Sequence, residues 1–145
     1  MLRALPLMLA LVASPALGWE FTPTPVCTLS HEGTEAAVKV TYDPRQPDPY
    51  AIALTLPGAV WPAGPVFTIT FEGVRTLTIG TDRHRVSEDG AMLTVTDRGF
   101  GNVLDGLQFG GQAVARLDGV TARVPLAGAA EPVDAFRACI VAPMS

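Results

Sequence analysis

Asp82, His84 and Ser87 lie close together in the chain and are the residue types of a hydrolytic relay. In such a relay a hydroxyl attacks, an imidazole takes its proton and a carboxylate orients the imidazole. On an extended strand Asp82 and His84 would project from the same face. A relay also needs a presented nucleophile and an oxyanion hole. Gly-x-Ser-x-Gly is absent, and Ser87 falls in a turn. Arg83-His84-Arg85 reads more simply as a charged edge strand that resists pairing. No catalytic residue is assigned here, and a small periplasmic hydrolase using the Asp82/His84 region is the alternative reading.

Other chemistries have fewer residues to carry them. His31 and His84 are the only histidines and lie far apart. A zinc site usually takes three or four ligands, so no metal is expected. There is no phosphate-binding Gly-x4-Gly-Lys-Ser/Thr pattern and no dinucleotide fingerprint, and Lys39 is the sole lysine. No cofactor is expected.

Cys27 and Cys139 are the only cysteines. In an exported chain two cysteines most simply form one disulfide, the alternative being two separate buried thiols. Trp61 and Phe100 are the candidate binding surface. Trp61 sits in a loop stiffened by Pro57, Pro62 and Pro65, and a rigid loop presenting Trp loses little entropy on binding. The favoured reading is that it folds back to cover one end of the sandwich, as loop aromatics often do. Phe100, between Gly99 and Gly101, carries the same two readings.

The elements that must position these residues are mostly strands. Trp19 to Ser30 reads as a leading segment and first strand. Glu35 to Tyr42 alternates, with Val38, Val40 and Tyr42 on one face. Tyr50 to Leu56 alternates through Ile52 and Leu54, and Val66 to Phe71 through Phe67 and Ile69. Glu72-Gly73 signals a tight hairpin into Val74 to Ile79. Thr81 to Val86 is the charged edge, and Met92 to Thr96 a short strand. Asn102 would cap one or two helical turns before Gly110-Gly111. Gln112 to Leu117 and Val120 to Leu126 join at Asp118-Gly119, the strongest short hairpin cue.

A closing helix is expected because Val133, Phe136 and Ile140 fall at i, i+3 and i+7. Pro132 fits its first turn, and Pro143 ends it. The fold class is all-β, a β-sandwich or partly open barrel of about eight short strands. One or two short helices complete it, including the C-terminal one.

Residues 1–18 read as a secretory signal peptide: Arg3, an apolar run from Ala4 to Val12, then Ala16-Leu17-Gly18 as a cleavage site. The run is too short to span a membrane. Trp19, not a cysteine, follows the cut, so no lipid anchor is expected. Removing 18 of 145 residues leaves 127, residues 19–145, one β-rich domain with a real core. Without Arg3, nine basic residues stand against fourteen acidic, a net charge of −5. That argues against nucleic acid and anionic lipid as partners.

Several stretches resemble the invasion-associated locus B family of exported bacterial proteins. They are Ala53-Leu54-Thr55-Leu56-Pro57-Gly58-Ala59-Val60, Gly64 through Gly73, Leu104-Asp105-Gly106-Leu107, and Val124-Pro125-Leu126-Ala127-Gly128 with the helix after it. The resemblance covers about residues 19–140 and its motifs are structural. Many members place a cysteine pair after the central hairpin, whereas Thr81 to Thr96 holds none, so the family's disulfide topology does not transfer. Nor does a role in invading host cells. The resemblance implies an exported, non-catalytic binding or accessory protein of a Gram-negative bacterium. Its partner would be an envelope protein or a small ligand.

Overall fold

A computed structural model describes residues 18–142 together with Arg3, Ala4 and Pro6. Most of the expected signal peptide therefore lies outside the described residues. Among the described residues ten strands form two antiparallel sheets that pack as a sandwich, with two helices. Strands β1 (Glu20–Thr22), β2 (Cys27–Glu32), β3 (Ala37–Tyr42), β4 (Tyr50–Thr55), β8 (Met92–Asp97) and β7 (Arg85–Val86) lie side by side in that order. The second sheet runs β10 (Val120–Pro125), β9 (Gln112–Leu117), β5 (Phe67–Glu72), β6 (Leu77–Thr81). Helix α1 spans Gly101–Phe109 and α2 spans Ala130–Val141. The sandwich holds, and the described strands form no closed barrel.

Alternation sets the buried face of each strand, because successive side chains point to opposite sides. Val38 faces Leu54 and Val40 faces Ile52 across β3–β4, and Leu54 meets Leu93 across β4–β8. Phe67, Ile69 and Phe71 of β5 supply the other layer, and all of these are buried. At Asp118-Gly119 both residues take positive φ, 43° and 85°, the backbone of the two-residue turn that Asp-Gly favours.

Local expectations fail in four places. Thr81 to Val86 is not one charged edge strand: β6 ends at Thr81, residues 82–84 form no strand, and only Arg85–Val86 pairs with β8, as β7. The leading stretch is two strands, not one, with Pro23 and Pro25 in the break between β1 and β2. Glu72-Gly73 does not make a two-residue turn: the connection runs from residue 73 to 76, so β6 begins at Leu77. Asn102 does not cap α1. The helix starts at Gly101 from Phe100, with no side-chain cap.

Helix α2 closes one lateral side of the sandwich. Val133 and Phe136 are fully buried, and Cys139 bonds to Cys27 at the start of β2 with Cα atoms 6.0 Å apart. That spacing lies within the range a disulfide spans. Arg137 donates to Gln108 Oε1 (3.0 Å) and to Asp105 Oδ1 (2.6 Å), tying α2 to α1, while Gln108 donates to Asp134 (2.6 Å). On the same side Trp19 Nε1 donates to the Pro125 carbonyl of β10 (3.1 Å), joining the two sheets' edges. No described helix is long and apolar enough to cross a membrane.

Candidate functional site

The opposite lateral side is open. There β6 ends one sheet, and β7, only two residues long, covers β8 no further than Thr94. Between them lies a cleft of about 450 Å³. Its apolar lining comes from both sheets: Ile52, Phe67 and Ile69 from the central strands, Ile79 from β6 and Val95 from β8. The start of α1 adds Phe100 and Val103, and Thr81, Arg83, Asp97 and Asn102 supply polar groups. Arg83 and Asp97 form an ion pair at 3.4 Å, with side chains 62% and 45% exposed. A pair so exposed contributes little to stability and is easily exchanged for another partner.

The cleft exists because neighbouring edges are unequal in length. A longer β7 would have extended along Val95 to Asp97 and narrowed the mouth. Behind it, Tyr50 stacks on Phe100 with ring centres 5.3 Å apart. Burial raises the Tyr50 phenol above its ordinary pKa, and the Tyr42 phenol nearby adds to this, against an opposing effect of Arg137.

The candidate binding aromatics are not displayed on the surface. Trp61 is 4% exposed, its Nε1 donates to the Leu54 carbonyl (3.0 Å), and its ring meets Phe67 edge-on at 6.1 Å. Phe100 is 5% exposed. The proline-stiffened loop folds Trp61 inward because the indole N–H finds a carbonyl while the ring joins the core. Both rings nonetheless bear on the cleft. Phe100 lines it directly, and Trp61 backs it through Phe67.

Asp82, His84 and Ser87 are not assembled into a relay. Ser87 donates to Asp89 Oδ1 (2.6 Å) and receives the Met92 N–H (3.1 Å), so its hydroxyl builds the turn into β8. That bond, more than any other, holds the Asp89 carboxyl below its ordinary pKa. His84 Nε2 lies 3.0 Å from the Gly64 carbonyl, which can only accept, so Nε2 carries the proton. The remaining nitrogen, Nδ1, is buried without a partner and faces no open space from which it could take a substrate's proton. His84 thereby anchors the crossing from β6 to β7 against the loop before β5, with Phe67 6.3 Å away.

His31, which with Glu32 before the Gly33 turn reads in the sequence as a lone surface pair, is instead buried. It is 7% exposed, stacks on Trp19 at 4.9 Å, and neither ring nitrogen has a partner. No group of three or more potential metal ligands occurs among the described residues. No family model, curated protein or solved structure matches the chain.

Proposed function

We propose that this is an exported, periplasmic protein that acts by binding rather than by catalysis, with the open-side cleft as its binding site. The cleft carries the reading. Its volume of about 450 Å³ falls within the ~300–1,000 Å³ usual for ligand sites, and an apolar lining with a few polar groups at the mouth is the usual composition of such a site. Export is supported by the leader pattern of residues 1–18 and by the Cys27–Cys139 bond, which an oxidising compartment would preserve. An accessory role agrees with the resemblance to invasion-associated locus B proteins. The residues behind that resemblance include turn formers such as Gly58 (φ 68°) and Gly128 (φ 82°). The hydrolase alternative draws no support from Ser87, whose hydroxyl is committed to Asp89.

Titration of the oxidised protein with an anilinonaphthalene sulfonate dye, a small apolar anion, tests the reading. Saturable binding should shift the methyl resonances of Ile79 and Val95 and perturb Trp61 fluorescence through Phe67. Ile79→Trp, which fills the cleft from its rim, should abolish binding while leaving the fold intact. Dye binding that survives this substitution, or shifts confined to other surfaces, refutes the assignment.

A further inference from the structure

Strand β6 is an open edge without the usual protections. Edge strands invite pairing by another chain, and proteins ordinarily blunt them with lysine, proline, a bulge or extreme shortness. The edges β1 and β7 are three and two residues long, and β10 ends on Pro125. By contrast β6 has five residues, Leu-Thr-Ile-Gly-Thr, with no charge and no proline. It pairs only with β5, and no described strand lies on its other side.

The face that β6 turns toward the cleft is patterned. Leu77, Ile79 and Thr81 are half-buried while Thr78 and Gly80 are exposed. Arg75 lies in the bend two residues before β6 and Arg83 in the crossing two residues after it, and both are exposed. Arg83 borders the main cleft. Arg75 borders a second hollow beside Leu77 and Phe109, the latter 72% exposed. Five strand residues at about 3.3 Å each separate the bend that holds Arg75 from the crossing that holds Arg83.

We propose that β6 is a docking edge for an extended polypeptide segment of a partner protein, apolar at alternate positions and carrying a carboxylate at each end. Backbone pairing along β6 supplies affinity, and alternate side chains drop toward the cleft and the Phe109 hollow, as in strand addition generally. The terminal carboxylates meet Arg75 and Arg83. A second copy of this chain fits worse. Twofold antiparallel pairing about Ile79 brings Arg75 toward Arg83 of the other copy at both ends of the paired strands, and like charges brought together are unfavourable. This inference rests on the cleft being a binding site and specifies what occupies it.

The probe is a nine-residue peptide with aspartate at both ends and valine at alternate positions between, titrated into the oxidised protein. Binding should be saturable and should slow amide hydrogen exchange at alternate residues of Leu77–Thr81. N-methylating the peptide along one edge should abolish binding, and along the other should leave it unchanged. The double variant Arg75→Glu/Arg83→Glu should bind about tenfold more weakly, the size expected for two exposed ion pairs, and a lysine-ended peptide should recover the loss. No peptide binding, unaltered exchange in β6, or indifference to N-methylation on both edges overturns the proposal. Self-association with β6 protected in the absence of peptide overturns it in favour of a second copy. Dye binding in the cleft without peptide binding leaves the binding site standing and removes only the strand. Failure of both removes both.

Discussion

Breaking the Cys27–Cys139 bond is a measurable perturbation whose size follows from the fold. The bond joins residues 112 apart in sequence. In the chain-entropy description, closing a loop of that length removes about 5 kcal/mol of freedom from the unfolded chain, and small exported domains commonly lose about 2–5 kcal/mol when such a bond is deleted. At about 2.1 cal/mol/K of unfolding entropy per residue, a domain of this size has roughly 0.26 kcal/mol/K. A loss of about 3 kcal/mol then lowers the melting temperature by about 11 °C. The folded state itself should change little. Val133 and Phe136 of α2 stay buried, each contributing about 1.5–3 kcal/mol, and the Arg137 and Gln108 hydrogen bonds still hold α2 on α1. Calorimetry of oxidised protein against the double variant Cys27→Ser/Cys139→Ser measures the shift, and far-ultraviolet dichroism at 25 °C measures the helix. A shift below about 4 °C, or loss of helical signal in the variant at 25 °C, refutes the reasoning. The first would mean that the loop is already restricted in the unfolded chain, and the second that packing alone does not hold α2.

Two substitutions test the packing on either side. Gly106→Ala would stabilise an open helix by about 1 kcal/mol, but a methyl group there lands on the Phe71 ring, so urea denaturation should show a net loss of about 1–3 kcal/mol. His31→Phe keeps a ring against Trp19 and removes two buried nitrogens that have no partner. Its urea midpoint should hold or rise, by up to about 1 kcal/mol in stability, and a loss above about 1.5 kcal/mol would mean that a ring nitrogen is bonded.

The parts of this fold that were legible in the sequence are those set by near neighbours. Alternation exposed the inner faces of β3, β4 and β5, because each strand's face is written within six residues. The i, i+3, i+7 stripe gave α2, and Asp118-Gly119 gave the one turn whose chemistry is unambiguous. Long-range pairing was not legible. Nothing local to β4 names β8 as its neighbour, and nothing in β5 names β9. The cleft depends on those pairings, since its lining comes from β4, β5, β6, β8 and α1. Trp61 illustrates the same limit. Its loop shows stiffness, but the Leu54 carbonyl that draws the indole inward becomes visible only once β4 is in place.

The asymmetry between the two lateral sides links stability to the proposed binding. One side is sealed by a disulfide, a helix that buries Val133 and Phe136, and a hydrogen bond between the sheets, interactions that tie the layers together. The other carries an exposed ion pair and a two-residue strand, neither of which opposes an incoming segment strongly. A sandwich sealed on both sides would gain stability but offer no unpaired backbone. One left open on both would lose the ties that keep Ile79 and Val95 in place along the cleft. Because the sealed side fixes the sheets, an added strand at β6 need not reorder the core, and little of its pairing energy is lost to ordering the receptor.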